Sequence, residues 1–450
     1  MAPIQELSWE ILQKILVETL PLLPANLVQL PYSHRPYSLS DSLFPLNQLC
    51  AVCRIWRDVL IKTPRVWSNI VLEDDRAAAV LFDYEFFQER LSRSDTHPLD
   101  IHIRPRTSRP IDRVDHDIDE ELRFNIASLA VLLSQNMARI RVLLIDCRKN
   151  RVGDALASCL FPPTQTTPIS MSSLELLQIS MDLYTLWPDP ATIDAPRLTR
   201  LILSNHAFLV EPMLTDASLL RLEQIASRSA TDETPLRSVV LSRRLKVVSW
   251  HGNDREPPVD ELDLPDLLYL HLTGFDAGSL QFLENFSTQS LRTLRLGFAS
   301  DPQTHVRLHK FPPADGIWDN LVNLKLEQAL LNKRSFALIF RGFSRLQNLT
   351  LWQCTIEEFM PASGKLPLTH FNVCLNIGMT TFANAALEAL LEMKAKSKST
   401  PTLQVNVLPS QNYLVKTMEY LTSRFPGIVR VVKLSEWNTV DPTLSPIPTS

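Results

Sequence analysis

The chain has 450 residues, 45% of them hydrophobic and 21% charged, with a formal net charge of -4. That composition excludes a disordered chain and leaves no bulk electrostatic drive toward nucleic acid or an anionic membrane. Glycine is scarce at 10 and proline abundant at 32, which disfavours folds that cradle phosphates in tight glycine turns.

From the N-terminus, Ile4, Leu7, Ile11, Leu12, Ile15 and Leu20 recur at helical spacing, with Glu6, Glu10 and Lys14 elsewhere. The charges also break any apolar signal-peptide core in the first twenty residues. Pro21 and Pro24 stop this helix, and residues 24–45 read as an inserted loop. A second helical pattern follows through Leu46, Leu49, Val52, Cys53, Trp56, Val59 and Leu60, ending before Pro64; Val66, Trp67, Ile70 and Leu72 close the module. Residues 76–93 and 121–135 read as further helices, so 73–135 is expected to be a helical linker and capping region.

Beyond residue 136 the periodicity changes. Apolar residues at positions one, four and six recur in Ile140-Leu143-Ile145, Leu174-Leu177-Ile179, Leu198-Leu201-Leu203 and Leu245-Val248-Trp250. They recur again in Leu267-Leu270-Leu272, Leu291-Leu294-Leu296, Leu321-Leu324-Leu326, Leu346-Leu349-Leu351 and Leu368-Phe371-Val373. From Leu245 to Leu368 the starts fall 22, 24, 30, 25 and 22 residues apart, close to the roughly 20–29-residue period of leucine-rich repeats. A short strand exposes alternate residues, and one more apolar residue tucks inward just before it. One such unit cannot bury its apolar side alone, so the units stack. The expected fold is an α/β solenoid over residues 136–435, with irregular leucine-rich repeats and parallel strands on its concave face. A small all-α module precedes it, and residues 436–450 are expected to be disordered or extended. Residues 332–345 and 380–397 have the composition of covering helices, capped by Asn332 and Thr381. The usual asparagine or cysteine after the strand is present as Asn253, Cys354 and Asn376 but replaced by Phe275, Ala299 and Ala329 elsewhere.

The opening segment resembles a known family. Leu7-Ser8-Trp9-Glu10-Ile11-Leu12, then Ile15, is similar to the start of an F-box, with Ser8 where proline is usual. Cys50 to Val59 looks like its second helix, and Thr63-Pro64-Arg65-Val66-Trp67 like its close. The resemblance covers about residues 1–72, with an insertion at 24–45 longer than the family normally carries. It implies docking on a Skp-family adaptor and, through it, on the cullin and RING subunits of an SCF ubiquitin ligase, with the repeats capturing an unknown protein substrate. Leu7, Ile11, Leu12, Ile15, Leu46, Leu49, Val52 and Pro64 are the expected adaptor contacts, while Trp56 and Trp67 suit the module's core. Arg54, Arg57, Lys62 and Arg65 make the segment locally basic. A scaffold whose repeats bind a partner without any ligase role is the competing reading.

No enzyme is expected. Cys50 and Cys53 form the one CxxC but lack further zinc ligands nearby. The ten histidines have no metal spacing, and no GxSxG, GxxxxGK[ST] or GxGxxG occurs. No cofactor or metal is implied. Six cysteines do not make a disulfide framework, and no apolar run is long enough to span a bilayer. A cytoplasmic or nuclear protein is expected, so the sequons at Asn285 and Asn348 read as accidental. Residues between the buried ones of each strand are expected on the concave face. That rule nominates Tyr269, His271, Arg295, Lys325, Asn348, Trp352 and His370 for substrate contact, with Arg200, Thr293, Asn323, Thr350 and Asn372 on the same rows.

Overall fold

A computed structural model describes residues 7–19, 46, 48–74, 84–105, 120–147, 156, 159–162, 167–181, 191–205, 213–228, 241–251, 262–275, 283, 286–298, 306–307, 319–356, 368–375, 404–409, 415–425 and 429–431. The chain divides into two compact units: Met1–Ser229 with Leu236–Ser242, and Ala230–Pro235 with Arg243–Ser450.

The first unit opens with helices. Helix α1 (Trp9–Thr19) carries two apolar stripes; Leu12 and Leu16, four residues apart, enter a core with Leu46, Val59, Leu60, Val66 and Trp67. The second helical pattern is broken rather than continuous. Residues 48–52 are helical, Cys53 is extended, and α2 (Arg54–Ile61) begins there with the Cys53 thiol accepting from the Trp56 amide at 3.5 Å. Helix α3 (Pro64–Trp67) has proline in its first turn, where a missing N–H removes no helical bond. The Trp67 indole N–H donates to the Leu60 carbonyl at 2.8 Å, fastening α3 to α2.

Strand β1 (Asn69–Asp74) follows α3 directly and pairs in parallel with β2 (Leu99–Pro105), which pairs with β3 (Ile140–Cys147). The order continues through β4 (Leu176–Met181), β5 (Arg200–Asn205) and β6 (Gln224–Arg228), every pair parallel. Helices α4 (Tyr84–Arg93) and α5 (Glu120–Asn136) intervene between the first strands, as a parallel connection requires. This corrects the expectation of a purely helical 73–135: the sheet begins inside the module's closing segment. Trp67-x-x-Ile70-x-Leu72 already has the one-four-six spacing, and Ile70, Leu72, Ile101 and Ile103 are all buried.

The second unit repeats the plan. Strands β7 (Val247–His251), β8 (Tyr269–Phe275), β9 (Thr293–Phe298), β10 (Asn323–Glu327), β11 (Asn348–Trp352), β12 (His370–Leu375), β13 (Gln404–Pro409) and β14 (Val429–Val431) pair in parallel in chain order. All nine apolar triplets expected from the sequence end in strands of this kind. The second and third residues of each triplet alternate inward, and Leu270, Leu294, Leu324 and Leu349 are 0% exposed. Helix α6 (Lys333–Gly342) begins at the expected cap: Asn332 accepts from the Ser335 amide, and the Ser335 hydroxyl lies 3.4 Å from the Asn332 N–H, a reciprocal capping box. It buries Phe336 and Ile339. Helix α7 (Val415–Arg424) stands before β14.

Each unit is therefore a stretch of α/β repeat solenoid, compatible with leucine-rich repeats, and helices precede the first. The expected loop at 24–45, the covering helix at 380–397 and the tail at 436–450 lie outside the described residues. Strand β6 escaped the sequence pattern because Ser227 holds its sixth position.

Two glutamines keep the turns in register. Gln328 (φ 57°) and Gln353 (φ 52°) take the left-handed conformation at the position that Gly274 (φ 81°) fills in an earlier repeat. Their amides donate to Trp352 O at 2.9 Å and Cys374 O at 3.1 Å, so the strand ladder continues around the turn. The Cys354 thiol donates to Leu326 O in the preceding repeat at 3.2 Å, which is the service expected of asparagine or cysteine at that place.

Candidate functional site

Among the described residues, exposed large apolar side chains gather on the N-terminal helices. Ile11 is 51% exposed, Ile15 40% and Val52 58%. Trp9 and Ile55, which the sequence reading did not nominate, are exposed as well. Leu12 and Leu46, expected as adaptor contacts, are instead buried in the module's core, and Leu49 packs partly against it. The reason is helical phase: Leu12 and Leu16 lie on one stripe of α1, Ile11 and Ile15 on the next. Leu7 and Pro64 are half-buried. Trp67 is buried, and Trp56 packs partly buried against the same core, as expected. The break at Cys53 leaves Val52 and Ile55 exposed on either side of it. Beside them Arg54, Arg57, Lys62 and Arg65 are all exposed, with the Lys62 ammonium 5.5 Å from the Trp9 ring.

Trp67 also ties the helices to the repeats. The Arg93 guanidinium sits 4.4 Å and that of Arg90 5.6 Å from its ring. Arg90 donates to the Asn69 carbonyl of β1 at 3.0 Å, and burial pulls its pKa down to about 10.

In the second unit the polar face of the sheet differs from expectation. Register aligns Ser249, His271, Arg295, Lys325, Thr350 and Asn372 in one row. The row is buried throughout: His271 is 0% and Lys325 2% exposed. Tyr269, expected to be exposed, is buried with its ring edge-on to His271 at 6.4 Å. Of the seven nominated side chains, Asn348, Trp352 and His370 remain half-buried and reach the surface.

The buried groups bond chiefly to one another. Glu327 accepts from Arg295 Nε and Nη2, each at 2.7 Å, and from the Lys325 ammonium at 3.3 Å. Lys325 also lies 5.3 Å from the Trp352 ring. The Ser249 hydroxyl and His271 Nδ1 are 3.0 Å apart. Asn372 donates to Thr350 at 3.1 Å within this row, and in the row beside it Asn348 donates to Asn323 at 2.6 Å and Asn323 to Thr293 at 3.0 Å, cross-strand bonds that fix both rows. Thr350, the third residue of the Asn348 sequon, is 0% exposed inside β11.

In the first unit the corresponding face is partly apolar, with Leu144, Leu176, Ile202 and Ala226 forming a buried cluster. At its edge Arg141 grips Asp100 in a two-pronged pair at 3.0 and 2.6 Å, and that bond raises the arginine's pKa. Burial lowers the pKa of Arg200 nearby.

Among the described residues no group of three or more His, Cys, Asp or Glu is arranged to hold a metal ion. No described helix is long and apolar enough to cross a membrane. Burial pushes the thiols of Cys354 and Cys374 up to about 12 and about 11, which keeps both from acting as nucleophiles near neutral pH. Compared with known proteins, the sequence matches no protein-family model and no curated protein.

Proposed function

We propose that this chain is the substrate-recognition subunit of an SCF-type E3 ubiquitin ligase, docking on a Skp-family adaptor through its N-terminal helices and holding a protein substrate on its repeats. The observation that carries the reading is the apolar surface of Trp9, Ile11, Ile15, Val52 and Ile55 on a helical module that already has its own core. Clustered exposed apolar groups of this kind mark a partner site, and they fall in the segment that resembles an F-box. The exposed basic residues around them suit an acidic partner surface. Adaptor, cullin and RING subunits would supply the chemistry; the chain itself supplies geometry. On the repeats, Asn348, Trp352 and His370 are the nominated side chains open to a substrate, while Arg295 and Lys325 hold the face in shape.

The test is gel filtration of the full chain mixed with the Skp-family adaptor. Point variants are preferable to removal of residues 1–72, because that cut takes most of β1 from the edge of the sheet. Parent protein is expected to co-elute with the adaptor, and Ile11→Asp combined with Val52→Asp to elute alone while keeping parental circular dichroism. A parent that does not bind the adaptor at micromolar concentration would return the chain to the scaffold reading, with no ligase role.

A further inference from the structure

A cavity of about 320 Å³ opens in the second unit at the turns that lead into β8, β9, β10 and β11. Its floor is a row set by the backbone ladder. The Arg292 amide donates to Leu268 O at 3.0 Å, and the Val322 amide to Arg292 O at 2.9 Å, so Leu268, Arg292 and Val322 stand side by side in successive repeats. Neighbouring strands are about 4.8 Å apart, so the Arg292 side chain leaves the backbone between those of Leu268 and Val322.

The wall is a second row, two residues earlier in each repeat: Ser290, Asn320 and Arg345. Asn320 uses both ends of its amide, donating to Gln289 O at 2.7 Å and accepting from Arg345 Nη1 at 2.7 Å. That fixes the Asn320 orientation and anchors Arg345 by one N–H, leaving the rest of its donor fork for a ligand. The Arg292 side chain makes no hydrogen bond or ion pair to the described residues. Two guanidinium groups thus line one cavity with no Asp or Glu in the lining. Asp319, the acid beside Asn320 in the chain, is exposed and outside it.

We propose that this cavity is a phosphomonoester site that takes a phosphorylated serine or threonine side chain of a captured protein; the source of the ligand rests on the receptor reading above. A phosphate carries about -1.5 to -2 charge at neutral pH and three acceptor oxygens, which two arginines meet with paired donors. The methylene of the phosphorylated residue would lie on Leu268 and Val322. The volume sits at the lower end of the range for small-ligand pockets, enough for one side chain and too small for a folded element.

The experiment uses the full chain and a fluorescent alanine-flanked peptide carrying one phosphoserine, read by anisotropy in low salt beside its serine counterpart. Binding of the phosphopeptide alone, its competition by inorganic phosphate and a loss of at least tenfold in affinity for Arg292→Gln with Arg345→Gln are the expected results. Both side chains are exposed, so the variant is expected to fold; parental circular dichroism checks this. Equal binding of the two peptides, or of the phosphopeptide by parent and variant, overturns the proposal. So does an inert phosphopeptide beside tight binding of an oligonucleotide or of anionic vesicles. Adaptor co-elution of the parent separates the two readings: retained adaptor with no phosphopeptide response by the parent sinks the cavity alone. Lost adaptor binding by the parent, with the phosphopeptide response intact, sinks the ligase reading and leaves the phosphomonoester site standing.

Discussion

Glu327 and Arg295 sit on adjacent strands, with the carboxylate accepting from two guanidinium nitrogens at 2.7 Å each. The same oxygen lies 3.3 Å from the Lys325 ammonium, so one acid serves two buried cations. Sequence periodicity alone places Arg295 and Lys325 as like-charged neighbours and invites a neutralising partner protein. The structure supplies that neutraliser from within the chain.

Glu327→Gln keeps the shape of the side chain and removes its charge. Two cations would then remain in a region where Lys325 is 2% exposed. Breaking a buried pair from one side typically costs about 3–5 kcal/mol, and the partial exposure of Glu327 favours the lower end. Urea unfolding is expected to show a loss of about 3 kcal/mol. A loss below about 1 kcal/mol would mean the network contributes little to the fold.

Gly297 lies two residues beyond Arg295 on the same face. A Cβ built there would stand 2.7 Å from Thr273 Cγ2 and 3.4 Å from Glu327 Oε2. Overpacking of this kind typically costs about 1–3 kcal/mol. Gly297→Ala is expected to destabilise by that amount, and Thr273→Ser, which deletes the clashing methyl, to recover most of it in the double variant. Additive losses in the double-mutant cycle would show that the clash is relieved elsewhere.

Adjacent residues of α1 should respond oppositely. Leu12 is 2% exposed and Ile11 51%. Leu12→Ala is expected to cost about 2–5 kcal/mol in the N-terminal module, the range for a buried leucine. Ile11→Ala, at the surface, is expected to stay within about 0.5 kcal/mol yet to weaken adaptor capture. Unfolding followed by hydrogen exchange on α1, set beside adaptor titration, separates the two effects.

The strands were legible because their signal is local and redundant: three apolar residues at fixed spacing, nine times over. Register followed from the same spacing, which is why the pairing of Arg295 with Lys325 could be read at all. Burial of the face between them could not, since a polar row looks alike whether water or protein covers it. The N-terminal module shows a different limit. Ile11, Leu12, Ile15 and Leu16 are all apolar, and nothing in their identity tells core from surface. Only the position of α2 and Leu46 decides that the Leu12 stripe faces inward. Cys53 ends one helix and caps the next, and no proline or glycine marks the break.

The cysteines give the last prediction, with a sign fixed by linkage. Burial raises the Cys354 thiol to about 12 and Cys374 to about 11, against an unfolded value near 9. A raised folded pKa means that the folded state holds its proton more tightly than the unfolded chain. The stabilisation from keeping these thiols neutral is therefore complete below about pH 9 and declines as pH rises toward 11 and 12. Each pH unit in that window is worth at most about 1.4 kcal/mol per thiol. Unfolding free energy is expected to fall more steeply between pH 9 and 10.5 for the parent than for Cys354→Ala with Cys374→Ala. At pH 8 a disulfide reagent is expected to modify the exposed Cys159 in the folded protein, slowed by the burial that raises its pKa, and Cys354 and Cys374 only on unfolding. Rapid labelling of Cys354 in the folded protein would show that its bond to Leu326 O opens easily, and the repeat turn with it.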